Sequence, residues 1–259
     1  MRTLMIAAVL VAALVGQVSA QPPLAPYSQD FELLLDIDPF ALSDDGWLVY
    51  GNVFDPDWSF LYDYGPFPAP NHNLAFSQVV LGQSGPEQGL QSLVIFNDYE
   101  AQDAHTAGNY VESNVYQEWT IPAEAAGQVW TFQFDAKRGD IDPLDETTSA
   151  FAFIKTLDPN AGYFTSNFIT ADMELIPDTW GTYTLEIGIF TDLVGQLIQI
   201  GFVSTATNSL PTAVFYDNIF WFESGDLSAV PDAADLADAS LGQNYPNPFN
   251  PLTRIDFSL

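Results

Sequence analysis

The ionisable residue with the most unusual surroundings is Asp217, which interrupts the apolar run 214–222. On an extended strand it shares one face with Phe215, Ile219 and Trp221, so its carboxylate is expected among apolar side chains. A buried carboxylate costs several kcal/mol unless it is paired, accepts hydrogen bonds or binds a metal ion. Asp217 is therefore a candidate metal ligand, and the alternative is that it caps a turn or accepts backbone hydrogen bonds.

Cations that could pair with such a carboxylate are scarce. The 259 residues include 34 Asp and Glu but only 5 Lys and Arg, a formal net charge of −29. This balance argues against nucleic acid and anionic lipid as partners, because both need basic side chains. Within 28–223 the basic residues are Lys137, Arg138 and Lys155. Buried carboxylates in this region must therefore be neutralised by protons, backbone donors or a metal ion.

A second group of candidate residues is the aromatic cluster of segment 55–70, from which we single out Trp58, Tyr62 and Tyr64. Four prolines and a glycine in the same segment predict a loop rather than a central strand. Exposed aromatic rings in a loop can stack on the apolar faces of sugars. The alternative is a loop that folds back and buries its own aromatic side chains.

The residues available for catalysis are limited. The chain has no cysteine, which excludes thiolate metal sites and cysteine nucleophiles, and its two histidines are His72 and His105. His105 lies in a polar stretch, where a surface histidine is favoured over a general base. Hydrolase and phosphate-loop motifs are absent, and the acidic stretch 140–146 lacks the glycine and glutamate spacing of an EF-hand. Asp and Glu remain as the main acid–base groups, and 140–146 is predicted to be a solvated acidic loop.

The elements that must position these residues are strands. Apolar and polar residues alternate with period 2 in 130–136, 182–189 and 198–202, and no segment shows a helical stripe over 11 residues. Further candidate strands are 31–37, 47–53, 76–81, 93–96, 115–121, 151–154, 162–168 and 214–222. About eleven short strands separated by turn residues predict an all-β fold, a two-sheet antiparallel β-sandwich of jelly-roll type. The tryptophans on strand patterns are predicted to be in the core: Trp47, Trp119, Trp130 and Trp221.

Short sequence words in this domain resemble a known fold family. Asp-Phe-Glu at 30–32, Gly-Trp at 46–47, Phe-x-Phe-Asp-Ala-Lys at 132–137 and Val-Phe-Tyr-Asp-Asn-Ile at 214–219 follow the order seen in galactose-binding-like jelly rolls. Many carbohydrate-binding modules have this fold. The resemblance spans most of 30–222 and implies the same sandwich.

The resemblance also implies a metal site. In such modules an acidic residue of the first strand and an aspartate of the last strand hold a structural calcium ion, and Glu32 and Asp217 match these positions. Calcium takes six to eight oxygen ligands, of which Asp30 and backbone carbonyls could supply others. Ca²⁺ with Glu32, Asp217 and Asp30 as ligands is therefore an expectation.

The N-terminus is typical of a secretory signal peptide. Arg2 precedes an apolar stretch at 4–16, and Val-Ser-Ala at 18–20 forms a cleavage site before Gln21. The apolar stretch is short for a membrane span, although an N-terminal anchor is the alternative. We predict that 1–20 is removed and that the mature form, which has no other long apolar stretch, contains no membrane span.

The C-terminus resembles a sorting signal. Leu-Gly-Gln-Asn-Tyr-Pro-Asn-Pro-Phe-Asn-Pro at 241–251, followed by Thr253, Ile255 and Phe257, is similar to the opening of the type A C-terminal sorting domain of the type IX secretion system. Family members continue as a small β-sandwich, so 241–259 is expected to be a truncated, poorly packed sorting segment. The resemblance implies the type IX machinery as a partner. Between the sandwich at 28–223 and this segment, 224–240 is predicted to be an acidic flexible linker.

These observations favour a secreted or cell-surface, non-catalytic β-sandwich binding module, with polysaccharide as the expected ligand. One alternative is a carboxylate-dependent polysaccharide-degrading enzyme, a glycoside hydrolase or lyase. The other is a structural or adhesive surface protein without a small ligand.

Overall fold

The computed structural model describes residues 21–71, 76–83, 85–97, 108–142, 147–207 and 212–227, together with the backbone of a short ladder near the C-terminus. The predicted signal peptide, both histidines and most of the linker and sorting segment lie outside the described residues. No helix within the described residues is long and apolar enough to span a membrane.

The described sandwich contains twelve strands and little helix. The strands are β1 (Tyr27–Gln29), β2 (Leu48–Phe54), β3 (Phe60–Phe67), β4 (Ser77–Leu81), β5 (Gln91–Ile95), β6 (Tyr110–Thr120), β7 (Gln128–Arg138), β8 (Thr148–Asp158), β9 (Phe164–Asp172), β10 (Gly181–Gly188), β11 (Leu197–Ala206) and β12 (Val214–Asp226). The one α-helix in the described part is α1 (Ala41–Asp44), and three single 3₁₀ turns are Ala123–Ala125, Pro159–Ala161 and Thr191–Leu193. The short ladder pairs β13 (Ser240–Leu241) with β14 (Phe257–Ser258).

The twelve strands form two six-stranded antiparallel sheets, which we call sheet 1 and sheet 2. Sheet 1 has the order β10-β7-β12-β5-β4, with β1 paired to the second half of β12. Sheet 2 has the order β3-β2-β6-β11-β8-β9. The chain crosses repeatedly between the sheets, as in jelly rolls. The predicted all-β, two-sheet antiparallel β-sandwich is therefore confirmed.

The core lies between the sheets and is built by the predicted alternation. Phe132 and Phe134 on β7 face Phe202 on β11, and all three side chains are fully buried. The ring of Tyr216 stacks on Phe202 with centroids 3.6 Å apart. The four tryptophans predicted for the core are all buried there, which confirms that prediction.

Two strand predictions were wrong. Residues 31–37 form turns rather than a strand, because Phe31 has φ 59° and the Asp30 side chain accepts a hydrogen bond from the Glu32 N–H. Segment 55–70 is not a loop throughout, since β3 occupies most of it. Gly65 and Pro66 are accommodated in it because β3 is the edge strand of sheet 2, where one side of the backbone needs no ladder partner, and the other three prolines of the segment lie outside β3.

The face assigned to Asp217 was also wrong. The ladder between β12 and β7 shifts register between Asp217 and Phe220, and Asn218 adopts φ 45°. This bulge reverses the alternation, so that Tyr216, Ile219 and Trp221 face the core. Asp217 lies opposite Asp135 of β7 and away from the inter-sheet core.

Replacing Phe202 by alanine should lower the free energy of unfolding by about 3–5 kcal/mol, because it leaves a cavity among four aromatic rings. Phe164, which is 69% exposed on the edge strand β9, is the matched control, and Phe164→Ala should change stability by about 0.5 kcal/mol or less. Urea unfolding of both variants measures the difference. Equal effects of the two substitutions would contradict the assigned core.

Candidate functional site

A groove crosses the outer face of sheet 2. Two adjoining cavities of about 240 and 490 Å³ form it, and both are lined by Asn52, Asn114 and Lys155. The other lining residues are Leu48, Tyr50, Phe54, Asp63, Pro66, Glu112, Tyr116, Glu118, Phe151, Phe153, Leu157, Tyr163, Thr165, Phe168, Leu197, Gln199 and Val203. Most of them come from the positions of β2, β6, β11 and β8 that alternate with core residues, so the period-2 pattern of these strands builds the groove.

Gly201 lies in sheet 2 between two of the aromatic residues that line the groove. This residue pairs with Tyr116 of β6 on one side and with Phe153 of β8 on the other. A Cβ at position 201 would lie 2.3 Å from the carbonyl oxygen of Val115 and 2.6 Å from Cβ of Tyr116. A side chain at this position would therefore clash with β6, and glycine permits this close approach.

Aromatic rings form an apolar surface in the groove that is separate from the core. The rings of Tyr50 and Tyr116 stack with centroids 6.0 Å apart and planes at 16°. Tyr116, Phe153 and Val203 form a distinct buried cluster, against which Tyr50 packs. Burial raises the pKa of both tyrosines, with the Glu118 carboxylate as the next cause in each case, so both hydroxyls stay protonated.

Charged side chains occupy the middle of the groove. Glu118, Gln199 and Lys155 form one row across β6, β11 and β8. Gln199 donates a hydrogen bond from Nε2 to Glu118 at 2.5 Å, and Asn52 donates one from Nδ2 to Glu112 at 2.6 Å. Burial raises the pKa of both glutamates, with these hydrogen bonds and the Lys155 charge acting against it.

Lys155 is held over two rings. Its Nζ lies 5.2 Å from the ring centroid of Phe153 and 6.0 Å from that of Tyr116. Burial lowers the pKa of Lys155, while Glu112 and Glu118 act to raise it. The ammonium is thus placed at the centre of the groove between two carboxylates.

Two buried amide oxygens in the groove have no hydrogen-bond partner. They are Oδ1 of Asn114 and Oε1 of Gln199, on side chains that are 6% and 3% exposed. An unsatisfied buried polar atom costs about 1–3 kcal/mol, so such atoms mark places where water or a ligand donates. Both oxygens can accept a hydrogen bond from a hydroxyl group.

The groove glutamates do not form a pair suited to glycoside hydrolysis. Glu112 and Glu118 lie six residues apart on β6, about 20 Å along the strand. Glycosidase carboxyl pairs are about 5–9.5 Å apart. Asp63 is nearer to Glu112, since both flank Asn52 in the ladder, two strand spacings or about 10 Å apart. The Asn52 amide stands between them and is bonded to Glu112.

The three aromatic residues predicted to bind ligand do not share one surface. Trp58 lies in the turn between β2 and β3 and stacks on Tyr110 with centroids 4.0 Å apart. Tyr64 packs against Phe67 and Phe76 in the core. Tyr62 is 49% exposed on the edge strand. The ring centroids of Tyr62 and Tyr64 are 6.4 Å apart, but neither residue lines the groove.

The sequence contains a pattern on β2 and β6 that indicates the groove. Tyr50 and Asn52 on β2, and Asn114, Tyr116 and Glu118 on β6, recur with period 2 on the polar face of their strands. Rings and amides repeated on an outward face are unusual for a solvated surface, which favours charged residues. This pattern would have pointed to sheet 2.

The predicted metal ligands Glu32 and Asp30 lie near Asp217, on the face of sheet 1 that points away from the core. Asp217 is fully buried, and its Oδ2 has no hydrogen-bond partner, whereas Oδ1 accepts from the Asn218 N–H at 2.7 Å. The pKa of Asp217 is raised to about 8, chiefly by burial and also by the carboxylates of Glu32, Asp135 and Asp30, while the hydrogen bond from the Asn218 N–H acts to lower it.

The neighbouring carboxylates are already engaged. Glu32 accepts hydrogen bonds from the N–H groups of Leu90 and Gln91, each at 2.7 Å. Asp135 accepts from Gln88, Asn218 and Thr182. Within the described residues, no three acidic or histidine side chains are arranged as a metal cluster. The structure thus gives Asp217 acidic neighbours without a set of three converging ligands.

No protein-family model and no curated protein sequence matches the chain. Among solved structures it is similar to the enzymatically active domain of bacteriophage CBA120 tailspike protein 4 (15% identity, TM-score 0.42, 69% of this chain and 19% of that chain). It is also similar to a family 22 xylan-binding domain (15% identity, TM-score 0.39, 77% of this chain and 94% of that chain). A third similar structure is a cyclase from Fischerella sp. TAU (14% identity, TM-score 0.45, 78% of this chain and 99% of that chain). The chain thus spans about a fifth of the length of the tailspike structure.

Proposed function

We propose that this chain is a carbohydrate-binding β-sandwich and that the groove on sheet 2 holds a polysaccharide segment. The observation that carries the proposal is the combination of stacked Tyr50 and Tyr116 rings with the unpartnered amide oxygens of Asn114 and Gln199. Sugar rings present apolar C–H faces that pack on aromatic rings and hydroxyls that donate to amide oxygens. The groove supplies both kinds of partner side by side.

The groove has the length that a polymer needs. Its lining extends from Asp63 and Pro66 on β3 to Tyr163 in the turn before β9. These strands are five spacings apart in sheet 2, or about 24 Å at about 4.8 Å each. Several sugar rings can lie across the strands, so an oligosaccharide segment is a better fit than a single sugar.

Hydrolysis is the second candidate function, and the observation that favours it is the Asp63–Asn52–Glu112 row. Binding is preferred because the Asn52 side chain fills the position between the carboxylates where a scissile bond would sit. Incubation with a bound polysaccharide distinguishes the two functions. Binding alone releases no reducing ends, whereas a release that Glu112→Gln abolishes would establish hydrolysis.

The chain termini support an extracellular location for this activity. The signal-peptide pattern of 1–20 and the sorting-domain resemblance of 241–259 favour export by the type IX machinery to the cell surface. Polysaccharides are abundant in that environment. Fusion of 241–259 alone would not test this, so secretion should be followed with the full chain.

Tyr116→Ala should weaken polysaccharide binding at least tenfold, because it removes the ring that stacks on Tyr50 and carries Lys155. Affinity electrophoresis of the full chain in gels containing single soluble polysaccharides measures the retardation. Tyr116→Phe should retain most of the binding, and melting curves of each variant show whether the sandwich is folded.

Tyr62→Ala is the matched control, since Tyr62 lies outside the groove. It should bind as the unsubstituted chain does. If Tyr62→Ala abolishes binding and Tyr116→Ala does not, the ligand occupies segment 55–70 instead of the groove.

A bound calcium ion at Asp217 is the second part of the proposal. Its support is a fully buried carboxylate with one unpartnered oxygen, three acidic neighbours and no basic residue among the causes of its pKa shift. Glu32 and Asp30 are the proposed further carboxylate ligands, and oxygen ligands of this kind suit calcium. The ion would stabilise the turn at 31–38 against sheet 1.

Calcium should change how stability depends on pH. Without metal, the pKa of Asp217 is about 8 in the folded state, far above its value of about 4 in the unfolded chain. Between these two pH values the folded state holds a proton that the unfolded chain has lost. The free energy of unfolding therefore falls as the pH rises from about 4 to about 8. With calcium, this loss should disappear because the ion binds the ionised form. Melting temperatures with EDTA and with calcium at pH 5 and pH 8 measure both effects.

Asp217→Asn should abolish the calcium increment and flatten the pH dependence relative to the parent chain. Glu223 lies elsewhere on β12 and gives the control variant Glu223→Gln. This variant should keep both the calcium increment and the pH dependence of the parent chain. A parent melting temperature at pH 8 that calcium does not raise would reject the metal site.

A further inference from the structure

We infer that the groove selects neutral glycan chains and rejects chains that carry carboxylates. The inference rests on the proposed function and narrows its ligand class. The carboxyl and amino groups that line the two cavities are Asp63, Glu112, Glu118 and Lys155, three acids and one base. A groove with this balance of charges repels an anionic ligand.

The buried polar atoms of the groove that lack a hydrogen-bond partner are both acceptors. Asn114 Oδ1 and Gln199 Oε1 are buried and unpartnered, and the Gln199 Nε2 is already used by Glu118. Sugar hydroxyls can donate to these oxygens. An ionised carboxylate has no hydrogen to donate, so it would leave them unsatisfied and add its own desolvation cost.

Lys155 is the one base among the charged side chains that line the groove. Its ammonium faces the rings of Phe153 and Tyr116 and interacts with Glu112 and Glu118. The other basic side chains among the described residues are Lys137 and Arg138 on β7 of sheet 1, on the far side of the sandwich. A uronate in the groove would therefore compete with two internal carboxylates for one cation.

The test uses polysaccharides that differ in charge and share a backbone. Glucuronoxylan and homogalacturonan are each compared with their carboxyl-reduced forms, and carboxymethylcellulose with hydroxyethylcellulose, by affinity electrophoresis of the full chain at pH 8. For any backbone that is bound, the neutral member should bind at least tenfold more tightly.

A double substitution shows whether the discrimination comes from the groove. Glu112→Gln with Glu118→Gln removes two groove charges at nearly constant shape and should reduce the neutral-to-acidic affinity ratio several-fold. Glu124→Gln with Asp192→Asn makes the same change in net charge at exposed 3₁₀ turns away from the groove. This control should keep the ratio of the parent chain.

The outcomes separate the two proposals. Equal or tighter binding of the acidic members overturns the selectivity for neutral chains while leaving carbohydrate binding intact. An equal drop of the ratio in the control variant also overturns it, because the net charge of the chain would then be the cause. If no polysaccharide in the panel is retarded, the proposed function fails and this inference fails with it.

Discussion

Burial of the outer face of sheet 2, which no further layer covers within the described part of the chain, is the constraint on which the site depends. Strands in the middle of an antiparallel sheet ordinarily turn one face to a core and the other to water. Here Asn114, Tyr116, Phe153 and Gln199 are buried on the face opposite the core. Tyr50 from β2 packs beside these residues, and Gly201 of β11 permits the close approach of Tyr116 on β6. The result is a concave surface in which amide oxygens lose water without gaining protein partners.

The same physical problem recurs at Asp217. A chain with 34 acidic and 5 basic residues has few cations to pair with its buried carboxylates. In the groove, Glu112 and Glu118 share Lys155 as a nearby cation, and each accepts a hydrogen bond from an amide. The pKa values of both glutamates are also raised by burial. Beneath sheet 1 the solution is a raised pKa for Asp217, which a metal ion would replace at neutral pH. Both places contain buried oxygen atoms without hydrogen-bond partners, and binding is proposed at both.

Much of the sandwich could be predicted because period-2 alternation is a local property. Strands such as β7 and β11, with their core phenylalanines and isoleucines, follow directly from it. Local exceptions could not be predicted in the same way. The bulge at Asp217 depends on a left-handed Asn218, and the turn at 31–38 depends on Asp side chains bonding to the backbone. The candidate site was harder still, because Glu118 and Gln199 are 81 residues apart and meet only through the strand order of sheet 2.

A crystal structure of the chain with an oligosaccharide from the most tightly bound polysaccharide tests the central claim most directly. The account predicts sugar rings packed against Tyr50 and Tyr116, with hydroxyl groups within hydrogen-bonding distance of Asn114 Oδ1 and Gln199 Oε1. An oligosaccharide bound at Trp58 and Tyr62, or anywhere else on the sandwich with the groove filled by water, would contradict it.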